Sequence, residues 1–280
     1  MITGKTNIVG LIGDPVEHSM SPPMHNAAFE YLGLDFAYVP FNVKKTALGP
    51  AIQGASSLGI KGLNVTIPHK TSVMEFLDVI DKPAELIGAV NTLKFDNNVV
   101  KGYNTDGIGA VRALEEVIKV KGKKVVMVGA GGAARAVAFQ LILSGIESMS
   151  IINRTPEKAL KLKNEIESRI ESDISTGNLE ILEKELSKAD ILVDTTPIGM
   201  YPHEEDLPVA DANMMHSDLV VNDLVYNPME TVLLKEAKKA EAQTVSGLKM
   251  LLYQGAEAFR IWTGKTAPVN IMEDTLLKLL

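Results

Sequence analysis

Residues 124–155, KVVMVGAGGAARAVAFQLILSGIESMSIINRT, decide the fold. Val125 to Val128 form an unbroken apolar run closed by Gly129, the pattern of a parallel strand covered on both faces, and a helix of small residues follows at once. Gly129, Gly131 and Ala134 stand in the spacing G-x-G-x-x-A. The first residue makes the turn, the second lets backbone approach a pyrophosphate, and the third lets helix pack close to strand. The N–H groups at the head of that helix, along Gly129, Ala130, Gly131, Gly132 and Ala133, would face the phosphates, where the helix dipole adds positive potential. A tight strand-to-helix turn needs glycine with or without a ligand, so the second strand carries the weight. Met149 to Ile152 ends in Asn153-Arg154-Thr155. Folds of this kind that hold NAD usually place an acid there for the ribose 2′-hydroxyl. This chain instead has an arginine flanked by amide and hydroxyl donors, which suits a 2′-phosphate. The stretch reads as an NADP site.

Working outward, a chain of 280 residues exceeds what one core comfortably fills, and two domains are expected. The hydrophobic fraction of 46% and charged fraction of 22% are those of a soluble globular protein. A formal charge of −7 argues against a nucleic-acid or anionic-membrane surface while leaving room for a local basic pocket. The absence of cysteine removes disulfides, thiolate nucleophiles and cysteine-ligated zinc. The start, MITGKTNIVGLIG, enters a strand pattern directly, no segment is long enough to span a bilayer, and a cytoplasmic location is expected.

From the N-terminus, a strand at Ile8–Ile12 leads into GDPVEHSMSPPMHN and a helix to about Leu32, with Ser21 expected as N-cap and Pro22 at the first helical position. Strand (36–43), helix (46–57) and strand (60–67) follow. The third strand ends in Asn64-Val65-Thr66-Ile67-Pro68-His69-Lys70, so Lys70 is expected at the carboxyl edge of a sheet, where open α/β sheets hold ligands. Gly88–Leu93, with Asn91-Thr92, and Val99–Tyr103, running into Asn104-Thr105-Asp106-Gly107, are read as two more such edges. An apolar stripe predicts a helix over 107–119. After Thr155 come a charged helix (156–172), strands at 189–195 and 219–225, and a helix at 229–241, continuing a doubly wound pattern. Two strongly apolar helices, 247–263 and 268–280, are expected to return to the first domain. The expected division is therefore 1–105 with 247–280 as a substrate domain and 106–246 as a Rossmann-type, doubly wound NADP domain, an α/β protein throughout.

Ser19 with Ser21, Asn64 with Thr66 and Lys70, Asn91, and Asp106 are polar groups that folding alone does not require, all in loops or at strand ends of the first domain, Asp106 at its boundary with the second. Together with SMSP, NVTIPHK, AVNT, YNTDG, GAGGAARA, NRT, TTPIGM and GLKMLLYQGAEAF, they make the chain resemble the shikimate dehydrogenase family over essentially its full length. The resemblance implies reversible NADP-dependent oxidation of the shikimate ring alcohol to 3-dehydroshikimate, in aromatic amino-acid biosynthesis. It further implies that Ser19 and Ser21 bind the substrate carboxylate, with Tyr226 nearby. Asn64, Thr66, Asn91, Asp106 and Gln254 would bind ring hydroxyls, and Lys70 and Asp106 form the catalytic pair. On the cofactor side it adds Thr195 and Gly247 to the glycine loop, with Lys158 beside Asn153, Arg154 and Thr155 at the 2′-phosphate. It leaves the oligomeric state open, a homodimer included.

The chemistry of the residues agrees. Hydride transfer from a secondary alcohol to nicotinamide needs a side chain to take the hydroxyl proton where no metal does so. The sequence leaves open which of Lys70 and Asp106 is the immediate acceptor. His18, His25, His203 and His216 show no ligand spacing, His69 should point away from Lys70, and no metal site is expected. Lys158 stands where the family often has a second arginine; it keeps the charge and loses the planar fork. A dual quinate and shikimate enzyme is the nearest alternative, but such relatives often carry an acid after the second strand. A silent NADP-binding sensor is disfavoured by the retention of both Lys70 and Asp106, and a glutamyl-tRNA reductase needs a cysteine that is absent.

Overall fold

The computed structural model describes residues 2–280. They form two compact units. One holds the chain up to Thr105 together with Leu252–Leu279, and the other holds Asp106–Leu251 with the final Leu280.

In the first unit the elements run β1 (Asn7–Gly13), α1 (Ser21–Tyr31), β2 (Phe36–Asn42), α2 (Leu48–Ser57), β3 (Gly62–Val65), β4 (Val79–Ile80), α3 (Lys82–Ile87), β5 (Thr92–Asp96) and β6 (Val99–Tyr103). The sheet order is β2-β1-β3-β5-β6-β4, parallel except where β5 runs against both β3 and β6. Residues 88–93 are thus not the strand end that the sequence suggested. Gly88 is the left-handed cap that ends α3 (φ 71°), and the strand begins only at Thr92. Asn97 and Asn98, at φ 49° and 64°, turn β5 into β6, a conformation that asparagine tolerates better than most residues. Because β5 is antiparallel, its beginning lies beside the end of β3, with Thr92 opposite both Asn64 and Tyr103. The ends of β3 and β6 and the start of β5 therefore share one edge.

The start of α1 also differs from expectation. Ser21 is the first helical residue, Met20 precedes it without a side-chain cap, and it is the Ser19 hydroxyl that accepts the Ser21 N–H, at 3.2 Å. A proline at the second helical position, with no N–H to satisfy, makes this arrangement cheap.

The second unit begins with α4 (Asp106–Glu115) and continues β7 (Lys124–Val128), α5 (Gly132–Leu143), β8 (Ser148–Ile152), α6 (Pro156–Glu167), β9 (Ile174–Gly177), α7 (Leu182–Leu186), β10 (Ile191–Asp194), β11 (Val220–Asp223), α8 (Val232–Lys239) and β12 (Gln243–Val245). Its sheet is wholly parallel in the order β12-β11-β10-β7-β8-β9, the doubly wound arrangement with its reversal between β7 and β10. β9, α7 and β12 are absent from the sequence reading. The helix expected over 107–119 stops at Glu115, leaving Val117 40% exposed outside the stripe. Gly107 lets α4 lie close on α5, since a Cβ there would stand 2.6 Å from the Ala136 carbonyl.

Two helices close the chain, α9 (Gly247–Thr263) and α10 (Val269–Leu277), and the division between the units falls within α9. In the first unit Phe259 of α9 stacks on Phe29 of α1 at 5.1 Å, and the Trp262 indole donates to the Leu93 carbonyl at 2.9 Å. Gly62 must be glycine for that indole to fit, because a Cβ would meet it at 2.0 Å.

Candidate active site

The shared edge of the first unit carries a buried polar network. Asn64, one residue before the end of β3, is 5% exposed, and its amide donates to the Thr92 hydroxyl (3.0 Å) and to the Asn91 carbonyl (3.3 Å). Its Oδ1 accepts the Tyr38 hydroxyl at 2.9 Å. The Asn91 Oδ1 accepts the Thr105 N–H at 2.7 Å, which fixes the amide orientation and points Nδ2 at the Thr105 hydroxyl, 2.9 Å away. These buried polar side chains satisfy backbone groups at the sheet's end and hold one another in fixed orientations.

Lys70 is bound to this edge through its backbone. Its carbonyl accepts the Val90 N–H at 2.8 Å, one residue before Asn91, while Thr66 is held by the Ile12 carbonyl at 2.9 Å. His69 is fully buried, with Nε2 2.6 Å from the Val43 carbonyl. Ser19 and Ser21 lie at the head of α1. Gln254 sits midway along α9, half-buried.

Tyr38 is a residue that the sequence reading missed. The alternation of FAYVPFN hid it as an ordinary strand position, although a buried tyrosine hydroxyl must find a partner. Asn26 brackets its backbone, accepting the Tyr38 N–H (2.8 Å) and donating to its carbonyl (3.1 Å). The ring stacks on His25 at 4.6 Å, nearly parallel. His25 is fully buried without a hydrogen-bond partner, and burial lowers its pKa to about 3, so the ring is neutral.

In the second unit the glycine loop is shaped for an anion. Gly129 has φ 107°, and a Cβ would sit 2.2 Å from the Thr195 hydroxyl, which itself donates to the Val128 carbonyl at 2.8 Å. Thr195 thus clamps the turn. At Gly131 and Gly132 a Cβ would meet nothing within 4 Å, so the backbone at the head of α5 faces open space. The cradle fits a dinucleotide pyrophosphate. At the end of β8, Arg154 and Thr155 are exposed, and Asn153 spends one amide hydrogen on the Thr155 carbonyl at 2.9 Å. Lys158 follows in the first turn of α6. No acid stands among residues 153–155, and Arg154 and Lys158 each bring a positive charge there.

Asp106 opens α4, where the helix dipole favours a carboxylate. Gly247 opens α9 against the end of β11, with room for no side chain because a Cβ would lie 2.2 Å from the Leu224 carbonyl. Two buried acids shape the remaining loops. Asp194 accepts the Thr196 N–H at 2.8 Å; Asp223 accepts the Val225 N–H at 2.9 Å and the Thr231 hydroxyl at 2.6 Å, below the loop that carries Tyr226. They are register partners on β10 and β11. Burial, and then the charge of Asp223, push the Asp194 carboxyl up to about 7, while burial raises Asp223. Among the described residues no helix is long and apolar enough to cross a membrane.

Three family descriptions match successive parts of the chain: the shikimate dehydrogenase substrate binding domain at residues 11–93, shikimate / quinate 5-dehydrogenase at 112–239, and the shikimate 5'-dehydrogenase C-terminal domain at 247–277. Two relatives named shikimate dehydrogenase (NADP(+)) are similar over all of the chain and 99% of their own lengths. They come from Methanobrevibacter smithii (58% identical) and Methanothermobacter thermautotrophicus (55% identical). A crystal structure of a shikimate dehydrogenase in complex with NADP+ superposes with a TM-score of 0.94 at 51% identity, covering 99% of this chain and 97% of that one. The glycine cradle, the arginine after β8 and the polar edge of the first unit thus lie in a sequence that matches these proteins from end to end, and the chain belongs to the shikimate dehydrogenase family.

Proposed function

We propose that this chain catalyses the reversible NADP-dependent oxidation of shikimate to 3-dehydroshikimate. The observation that carries the reading is the buried network of Asn64, Asn91, Thr92 and Thr105 beside Lys70, which supplies oriented polar groups where a polyhydroxylated ring would need them. In this reading residues 1–105 with 247–280 form the substrate domain and residues 106–246 the cofactor domain, with Asp106 and Gly247 at the two junctions. Ser19 and Ser21 take the carboxylate, with Tyr226 close to it. Thr66, Asn91 and Gln254 take ring hydroxyls. Asn64 already places both amide hydrogens inside the protein, so it contributes through the remaining lone pair of Oδ1 and by orienting its neighbours.

The nicotinamide cofactor, when bound, accepts or returns the hydride. The protein's share is the proton: Lys70 and Asp106 hold the alcohol, and one of the two takes the hydroxyl proton as the carbonyl forms. Gly129 to Ala133, Thr195 and Gly247 cradle the cofactor, while Asn153, Arg154, Thr155 and Lys158 read its 2′-phosphate. A cytoplasmic location goes with this reading, since a freely exchanging nicotinamide cofactor is supplied there. The acidic surface favours small-molecule partners over nucleic acid, and light scattering decides between monomer and homodimer. The reading is tested by incubating the chain with shikimate and NADP, following NADPH absorbance and the mass of the acid together. Loss of two hydrogens from the acid in step with NADPH formation is expected; NADPH without oxidised acid, or neither, rejects it.

A further inference from the structure

Beside the glycine loop lies a cavity of about 420 Å³ lined by Ala130, Gly131, Gly132, Arg135, Lys158, Lys161 and Glu165. Lys158, Lys161 and Glu165 follow one another at spacings of three and four along α6, so they share the helix face that borders it. Arg135 comes from the first turn of α5 and forms an ion pair with Glu165, its side chain 21% exposed against 31% for the acid. The guanidinium is further held over the Phe139 ring, 5.7 Å from the centroid. Three cations and one anion thus surround open space beside the backbone that faces the cofactor phosphates.

A site with three cations attracts a dianionic phosphate, yet the planar fork best suited to bind one is already engaged by a carboxylate. We propose that Glu165 is a counter-ion that competes with the adenosine 2′-phosphate for Arg135, so that the pair Arg135–Glu165 sets how strongly the chain prefers a 2′-phosphorylated cofactor. Arg135 is then a specificity-determining residue in addition to Arg154 and Lys158, and Glu165 acts through it. Removing the carboxylate leaves the fork to the phosphate. The proposal rests on the NADP reading above.

The test is calorimetric binding of adenosine 2′,5′-bisphosphate and of AMP, which report the adenosine side alone, to wild type, Glu165→Gln, Arg135→Gln and Arg135→Lys. Glu165→Gln is expected to tighten the bisphosphate roughly three- to tenfold with AMP unchanged, and Arg135→Gln to weaken the bisphosphate about tenfold, as loss of one hydrogen bond to a charged group implies. Arg135→Lys should restore part of that loss. If Glu165→Gln leaves the bisphosphate unchanged, or weakens both ligands together with a fall in Tm, the pair merely fastens α5 to α6 and the proposal is wrong. The NADP reading fails separately, through wild type binding the bisphosphate no better than AMP.

Discussion

The Tyr38 hydroxyl donates to Oδ1 of Asn64 at 2.9 Å, joining β2 to the end of β3 through two side chains that are both almost wholly buried. Tyr38→Phe leaves that oxygen without its donor, which costs about 1–3 kcal/mol when the group stays buried. Denaturant unfolding should show this loss, and KM for shikimate should rise more than kcat falls, because the network that Asn64 orients is loosened while Lys70 and Asp106 remain. Unchanged stability and an unchanged KM would mean that the contact orders nothing.

Lys70→Ala and Asp106→Asn should each reduce kcat by roughly 10²- to 10⁴-fold, the range associated with a positioned acid–base group. NADP affinity, measured by fluorescence titration, should barely change, since the glycine loop and the 153–158 segment are untouched. Near wild-type turnover in either variant removes that residue from the chemistry.

Arg154→Ala should weaken NADP binding by roughly ten- to a hundredfold, given about 1.5–3 kcal/mol for a hydrogen bond to a charged group, and leave NAD nearly unaffected. Arg154 is exposed, so the effect should shrink as salt is added. Equal losses for both cofactors would make Arg154 a residue of the fold; no loss for either would place the phosphate elsewhere.

Asp194 and Asp223 make stability depend on pH in an uncommon direction for carboxylates. A carboxyl raised from 3.8 to about 7 in the fold contributes stability that is complete below its unfolded pKa and is lost as pH rises through the folded value. From this group the protein should be about 2 kcal/mol less stable near pH 8 than near pH 5.5. Asp194→Asn, whose amide oxygen can still accept the Thr196 N–H, should flatten that dependence in denaturant titrations at the two pH values. A variant with the same slope as wild type would show that Asp194 is already ionised at little cost.

What the sequence revealed and what it concealed follow from the range of the forces involved. The glycine loop was legible because the tight turn at Gly129 and the open cradle at Gly131 and Gly132 are local demands on three residues. The parallel order of the second sheet followed from alternating strands and helices, but β9, α7 and β12 have only three to five residues each, too few for a period to show. Asn91 reads from sequence as part of a strand's end, whereas it precedes an antiparallel strand whose pairing with β3 brings it to the edge. A serine before proline looks like a cap from sequence alone, yet Ser21 is the first helical residue, Met20 stands at the cap position, and Ser19 accepts the Ser21 N–H. Tyr38 and the Arg135–Glu165 pair were invisible, since each depends on partners 26 and 30 residues away that only the fold brings together.

A shikimate dehydrogenase that reads the 2′-phosphate is tested most directly by the specificity constant for shikimate and for quinate, each with NADP and with NAD. Shikimate with NADP should exceed the other three combinations by at least about tenfold, the factor that one charged hydrogen bond to the 2′-phosphate supplies for the cofactor. Quinate, with an added ring hydroxyl and a puckered saturated ring, should be the poorer acid with either cofactor. Comparable constants for shikimate and quinate, or for NADP and NAD, would contradict the account.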